Sequence, residues 1–114
     1  MFGYDDLWRT KYRSRRSPTA DYALNNGVNF IDTAELYSIP PKEETYGRTE
    51  EIIGTWLAKR GRRDDIVLAG KIAGPGLYFV SHIRHGKTKF DSEHIEQALN
   101  ASLTRLKTDY IDLY

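Results

Sequence analysis

The sequence predicts an α/β fold whose strands run parallel in one sheet. Short apolar segments alternate along the chain with helical segments that carry one apolar face, which is the pattern of βα units. One strand candidate, Ile66 to Ala69, is apolar on both faces, as in a parallel strand that is covered on both sides. The 114 residues suffice for one small domain. We therefore expect a single parallel α/β unit.

Composition and charge limit the classes of function. Hydrophobic residues make up 39% of the chain and charged residues 29%, which is typical of a soluble globular protein. The net charge of +1 gives no electrostatic reason to expect nucleic acid or an anionic membrane as a partner. The absence of cysteine excludes disulfides and a cysteine nucleophile, and no apolar run approaches the roughly 20 residues of a membrane helix. We expect a soluble, cytoplasmic protein.

Residues 1–20 differ in composition from the rest of the chain. They show no helical or strand period, and Pro18 would interrupt a helix entering from Ser14. Their basic residues are Arg9, Lys11, Arg13, Arg15 and Arg16. An irregular terminus and a basic arm for phosphate or RNA both remain open at this point. From Asp21 the chain predicts the last turns of a helix, which Asn25, Asn26 and Gly27 end.

The stretch after this helix carries the first candidate functional residues. Val28 to Ile31 is short, β-branched and aromatic, and predicts a buried strand. Asp32 follows at the end of that strand, and Tyr37 lies five residues further on in a loop. Chemistry in parallel α/β folds is usually performed by residues that leave the carboxyl ends of strands. Asp32 and Tyr37 are therefore candidates for an active site.

A helix and a second strand follow a loop that contains Pro40 and Pro41. The helix is predicted from Thr49, as its N-cap, to Gly61, and its apolar stripe is predicted to be core. That stripe consists of Ile52, Ile53, Trp56 and Leu57. The strand Ile66 to Ala69 ends directly before Gly70 and Lys71. Lys71 thus leaves the carboxyl end of a second strand and becomes the third candidate.

The remaining chain predicts one loop, one helix and the start of a third strand. The loop carries His82 and His85, but with no third ligand nearby we expect no metal site. The helix runs from about Ser92 to Leu106 with Asp91 or Ser92 as its cap, and residues 110–114 begin as a strand. The core face of the helix consists of Ile95, Ala98, Leu99, Ser102, Leu103 and Leu106.

Four stretches together resemble the N-terminal part of the aldo-keto reductases. They are DYALNNGVNFIDTAELY, GRTEEIIGTWLAKRG, DDIVLAGKIAGPG and ALNASLTRLKTDYIDLY, in order and without a gap over residues 21–114. The double proline, with Glu44, Thr45 and Gly47 after it, is most similar to the Tas-like bacterial NADP(H)-dependent members. Members of this family are (β/α)₈ TIM barrels of roughly 250 residues or more. The resemblance implies that this chain is a partial barrel with strands two to four and their intervening helices only.

The resemblance assigns roles to the three candidates. Tyr37 matches the general acid that protonates the carbonyl oxygen of an aldehyde or ketone as NADP(H) delivers hydride. Lys71 matches the lysine beside that tyrosine, and Asp32 matches the carboxylate that pairs with the lysine near the nicotinamide. A phenol is a weak proton donor at neutral pH, and a nearby ammonium group stabilises the phenolate. Taken singly, the three could instead be a turn cap, a loop aromatic and a solvated lysine.

Other residues receive structural roles or fall outside the resemblance. Glu35 and Glu44 are expected to be surface charges. The family's catalytic histidine, in a stretch resembling QxHWP, would come after Tyr114, as would strands five to eight and the loops that hold the cofactor's phosphates. We therefore expect the chain alone to be inactive and unstable or aggregation-prone. The alternative is a non-catalytic protein, either a decayed gene product or a basic-armed binding module.

The basic N-terminal segment has a second explanation. Residues 8–19 are WRTKYRSRRSPT. Back-translated with permitted codons and read one nucleotide later, they become GEQNTEADAHRQ, which resembles the stretch that family members carry before this helix. We therefore predict a frameshift upstream of about Ala20, which the coding DNA would test.

Overall fold

The computed structural model describes residues 18–76 and 80–114. The basic arm and the frameshift predicted from the sequence fall largely outside the described residues. The helices are α1 (Pro18–Asn25), α2 (Arg48–Arg60) and α3 (Ser92–Leu106), the strands are β1 (Phe30–Asp32) and β2 (Val67–Ala69), and a 3₁₀ turn spans Arg84–Gly86. In the part of the chain that the structure describes, no helix is long and apolar enough to cross a membrane.

The two strands form a parallel sheet, as the sequence predicted. Phe30 lies opposite Val67, Ile31 opposite Leu68, and Asp32 opposite Ala69. The third strand, predicted over residues 110–114, is realised as a single parallel bridge between Ala69 and Leu113. Within that bridge the amide of Gly70 donates to the carbonyl oxygen of Leu113 over 2.9 Å. The predicted α/β class with neighbouring parallel strands is confirmed.

Strand β1 is shorter and more exposed than predicted. It begins at Phe30, and the side chains of Val28 and Phe30 are 58% and 52% exposed. Only Ile31 packs against the core. Among the described residues β1 has β2 as its one sheet neighbour, so its other edge is uncovered. The prediction of a buried strand from Val28 to Ile31 is therefore wrong in both its start and its burial.

Helix α1 begins inside the segment that was predicted to be irregular. Pro18 is its first residue, and proline suits this position because the first turn of a helix needs no amide donor. The helix ends at Asn25, and Gly27 adopts a left-handed φ of 87°, as predicted. The indole of Trp56 donates to Asp21 over 2.8 Å and ties α1 to α2.

The ends of α2 and α3 follow the predicted capping chemistry with one exception. The N-cap of α2 is Gly47 in the left-handed region, and Thr49 lies inside the helix, so the prediction of Thr49 as the cap is wrong. Gly47 also lies against the side chain of Arg105, which a Cβ there would approach to 2.6 Å. Gly61 ends α2, and Asp91 caps α3 by accepting the amide of His94. The helix end at Gly61 was predicted, and Asp91 is one of the two caps that the sequence left open for α3.

Helices α2 and α3 pack closely over the sheet. The main core cluster consists of Trp56, Leu57, Ile66, Leu68 and Leu106. At the crossing point, a Cβ on Gly54 would clash with the carbonyl oxygen of Arg105 and lie 2.8 Å from the carbonyl carbon of Leu106. The two helices therefore approach each other at a position where only glycine fits. The predicted core positions of Trp56 and Leu57 are confirmed.

An ion pair at the end of α2 predicts a pH dependence of stability. Arg60 donates to both carboxylate oxygens of Asp65 over 3.0 and 2.7 Å. This hydrogen bond from Arg60, reinforced by its positive charge, holds the pKa of Asp65 below its ordinary value. The stabilisation is complete above the unfolded pKa of about 4 and is lost as the pH falls through the lower folded value. We expect the free energy of unfolding of Asp65→Asn, measured by urea unfolding, to decrease less steeply than that of the parent chain as the pH falls through this acidic range.

The matched control for this prediction is Asp64→Asn. Asp64 pairs with Arg62, and both side chains are more exposed than those of the Arg60–Asp65 pair. We expect the free energy of unfolding of Asp64→Asn to fall with decreasing pH as it does in the parent chain, because ion pairs between exposed side chains contribute little. An Asp65→Asn variant with the same acid dependence as the parent would contradict the assignment.

Candidate active site

The carboxyl ends of β1 and β2 bring Asp32 and Lys71 together. The register pairs Asp32 with Ala69, and Lys71 lies two residues beyond. The Lys71 ammonium nitrogen is 3.1 Å from each carboxylate oxygen of Asp32 and donates to the carbonyl oxygen of Thr33 over 2.8 Å. These contacts direct the ammonium toward the end of β1.

Tyr37 lies against the same ammonium group. Its ring centroid is 5.1 Å from the Lys71 nitrogen, within the range of a cation–π contact. Hydrogen bonds fix the backbone of Tyr37 on both sides, since its amide donates to Ala34 over 3.2 Å and its carbonyl accepts from Gly47 over 3.1 Å. The structure thus places all three residues singled out in the sequence at one end of the sheet.

This cluster is accessible from solvent. The side chains of Lys71 and Asp32 are 46% and 59% exposed, so a ligand could reach the polar groups without displacing protein. Exposed carboxylate and ammonium groups beside an aromatic ring suit the polar carboxamide of a nicotinamide and the oxygen of a carbonyl substrate. The polar groups of the cluster are therefore chemically compatible with the nicotinamide cofactor that the resemblance implies.

Glu35 is fully buried, so its prediction as a surface charge is wrong. It has 0% exposure, and its carboxylate accepts the amide of Ala73 over 2.8 Å and the Tyr46 hydroxyl over 3.3 Å. Arg84 donates to both carboxylate oxygens, one of them over 3.1 Å. A buried carboxylate requires such partners because it has lost its hydration. Glu44, which was also expected at the surface, is exposed.

Tyr46 links Glu35 to a second buried ion pair. Its ring lies 5.1 Å from the guanidinium of Arg105, which donates to Glu50 over 2.8 and 3.0 Å. Burial raises the pKa of Tyr46; Arg105 opposes this increase and Glu35 adds to it. Burial of Arg105 acts to lower its pKa, but the charge of Glu50 and the hydrogen bonds between them outweigh burial and raise it.

The same buried charges influence Tyr114. Burial raises the pKa of Tyr114 to about 12, and the negative charges of Glu35 and Glu50 contribute to the increase. The electrostatic influence of the two carboxylates therefore reaches Tyr114, the final residue of the sequence.

The two histidines of the long loop do not share a site. His82 makes an edge contact with the ring of Tyr46, with 5.5 Å between centroids, whereas His85 is exposed. Within residues 18–76 and 80–114, no group of three histidine, aspartate or glutamate side chains is arranged to hold a metal ion.

Comparison with known proteins places the chain in a family. The aldo/keto reductase family model matches residues 1–114. Protein tas of Escherichia coli is 47% identical over 94 residues, which are 82% of this chain and 27% of that protein. The uncharacterized oxidoreductase YrpG of Bacillus subtilis is 38% identical over 117 residues, covering 99% of this chain and 32% of its own length. Norsolorinic acid reductase B of Dothistroma septosporum is 34% identical over 100 residues.

The chain spans between about a fifth and a third of the length of these relatives. The family match includes the basic residues before α1, and a shifted reading frame there stays a prediction for the coding DNA. The resemblance drawn from the four sequence stretches is confirmed, and the relatives include proteins named as oxidoreductases. The chain belongs to the aldo/keto reductase family.

Proposed function

We propose that this chain forms strands two to four of a (β/α)₈ barrel in an NADP(H)-dependent reductase of aldehydes and ketones. Aldo/keto reductases generally use NAD(P)H and act on small carbonyl substrates, which supports the proposal. The observation that carries it is the position of the Lys71 ammonium, 3.1 Å from Asp32 and 5.1 Å from the Tyr37 ring centroid. A tyrosine that acts as a general acid near neutral pH needs a neighbouring cation to stabilise its phenolate, and a counter-ion helps to keep that cation charged.

In this proposal Tyr37 donates its phenolic proton to the carbonyl oxygen of the substrate. Lys71 stabilises the phenolate that remains, since a positive charge beside it favours the ionised form. Asp32 and the carbonyl oxygen of Thr33 accept hydrogen bonds from Lys71 and hold its ammonium in place. NADPH, when bound, supplies the hydride that reduces the carbonyl carbon.

We further propose that the 114-residue chain alone does not turn over. Hydride transfer requires the nicotinamide to be held close to the carbonyl carbon, and the chain corresponds to a limited share of each relative. Val28, just before β1, and Phe30, within it, are exposed apolar residues, and among the described residues one edge of β1 has no neighbouring strand. These features also favour further protein against β1. Strands supplied by the remainder of a barrel would cover this edge.

The experiment is to mix the chain with a polypeptide that covers the missing strands and to follow NADPH oxidation with an aldehyde. We expect activity only in the mixture. Lys71→Met keeps the aliphatic stem and removes the charge, so we expect it to slow the reaction about 100-fold or more.

Lys42→Met is the matched control, since Lys42 is exposed in the loop before α2. We expect this variant to retain the activity of the parent mixture. A Lys71→Met mixture as active as the control would refute the proposed site. A parent mixture without activity would favour the non-catalytic alternative. Turnover by the chain alone would refute the requirement for the missing strands.

A further inference from the structure

The buried ion pair of Glu35 and Arg84 lies beside the proposed catalytic residues, yet the mechanism above does not use it. Glu35 occupies the loop between Asp32 and Tyr37, and Arg84 begins the 3₁₀ turn in the long loop after β2. Arg84 donates to both oxygens of the Glu35 carboxylate. Taking both charges of this pair out of water has a large desolvation cost, which the hydrogen bonds of the pair must offset.

Glu35 joins the loop of Tyr37 to the segment that carries Lys71. Its backbone amide donates to the carbonyl oxygen of Lys71 over 3.0 Å. Its carboxylate accepts the amide of Ala73, two residues further on, over 2.8 Å. The backbone and side chain of one residue thus bind two neighbouring points of the same segment, which restricts sliding between the two loops.

The network also reaches the other side of Tyr37. The hydroxyl of Tyr46 donates to Glu35 over 3.3 Å, and the amide of the adjacent Gly47 donates to the carbonyl oxygen of Tyr37 over 3.1 Å. The Glu35 carboxylate is therefore connected to the segment of Lys71 on one side and to the backbone support of Tyr37 on the other.

We propose that Glu35, held by Arg84, is a positioning residue that fixes Tyr37 relative to Lys71. This inference rests on the proposed function of those two residues. The negative charge is essential to the role, because Arg84 can fix both carboxylate oxygens only while the group is ionised. A displacement of about 1 Å at a reacting group can cost on the order of 100-fold in rate, so a small shift of this loop would be visible in turnover.

The pair of Glu50 and Arg105 offers a matched control. It is equally buried and is also joined to Tyr46 through Arg105, but it connects α2 to α3. A purely structural role for Glu35 would make the two pairs equivalent, so that Glu35→Gln and Glu50→Gln would affect only stability. A positioning role predicts that the Glu35 variant alone changes the rate of the chemical step.

The first test measures amide hydrogen exchange of the 114-residue chain in the mixture that contains the missing strands. We expect exchange at the amides of Tyr37 and Ala73 to be about tenfold faster in Glu35→Gln and in Arg84→Lys than in Glu50→Gln. Both substitutions weaken the ion pair that holds the two loops together. Arg84→Lys retains the positive charge and removes the bidentate hydrogen bond to Glu35, so it tests the proposal independently if Glu35→Gln folds poorly. Equal exchange in the Glu35 and Glu50 variants would overturn the proposal.

The second test measures kcat and KM in the mixture that contains the missing strands. We expect Glu35→Gln to lower kcat about tenfold or more while KM changes by less than about threefold, and Glu35→Asp to recover part of the loss. Full activity of Tyr37→Phe would refute the proposed function. Full activity of Glu35→Gln beside an inactive Tyr37→Phe would overturn the positioning role alone.

Discussion

Replacement of Tyr37 with phenylalanine is expected to lower the rate of carbonyl reduction by the completed enzyme about 10²- to 10⁴-fold. The change removes the phenolic hydroxyl, which is the proposed proton donor, and leaves the ring that faces the Lys71 ammonium at 5.1 Å. The backbone hydrogen bonds of Tyr37 to Ala34 and Gly47 do not involve the side chain. The loss should therefore fall on the chemical step, which single-turnover measurement of NADPH oxidation would isolate.

Tyr22→Phe is the matched control for this result. Tyr22 is 72% exposed on α1, so the loss of its hydroxyl should leave the reaction unchanged. Binding of NADP(H) to the Tyr37→Phe mixture should also stay near the parent value, because a general acid acts on the substrate oxygen in the transition state. If Tyr37→Phe kept the single-turnover rate of the Tyr22→Phe control, Tyr37 could not be the general acid.

The positions of Asp32 and Lys71 were predictable because they depend on local patterns. Asp32 is the last residue of β1 and Lys71 lies two residues after β2, and neighbouring parallel strands bring their carboxyl ends to the same edge of the sheet. The observed pairing of Asp32 with Ala69 satisfies that expectation. The cap at Asp91 and the helix end at Gly61 were predictable for a similar reason, since side-chain and glycine preferences at helix ends act over one turn.

The burial of Glu35 was not predictable from the same patterns. Its main partner, Arg84, is 49 residues away along the chain, in a loop with no helical or strand period. A glutamate in a polar loop is normally solvated, and only the folded arrangement shows that it points inward. The start of α2 was predicted two residues late because its N-cap is Gly47, in the left-handed region, and no side chain there makes the capping hydrogen bond on which the prediction depended.

The extent of the third strand was also not predictable from the local sequence. Residues 110–114 have the apolar and aromatic composition of a strand, but composition does not determine how many ladder bonds form. In the structure one bridge joins Ala69 to Leu113. A strand gains stability from neighbours on both edges, so its extent depends on the protein that packs against it.

The ion pair between Glu50 and Arg105 gives the largest predicted effect on stability. Glu50 is 1% exposed and accepts two hydrogen bonds from the guanidinium of Arg105. Truncation by Glu50→Ala would leave the Arg105 cation buried without its partner, and we expect a loss of about 3–5 kcal/mol in the free energy of unfolding. This loss is large beside the roughly 5–15 kcal/mol that stabilises a typical domain. Urea unfolding of the completed enzyme would measure it, with Glu50→Gln as a milder variant.

Glu51→Ala is the control on the same helical turn. Glu51 pairs with Arg48, and 34% of its side chain is exposed against 1% for Glu50, so we expect its loss to cost less than about 1 kcal/mol. A double variant, Glu50→Met with Arg105→Met, should recover most of the stability lost in Glu50→Ala, because apolar side chains of similar volume replace a buried ion pair without an unpaired charge. If the double variant were as unstable as Glu50→Ala, loss of packing around Gly47 and Tyr46, and not the unpaired charge of Arg105, would be the cause.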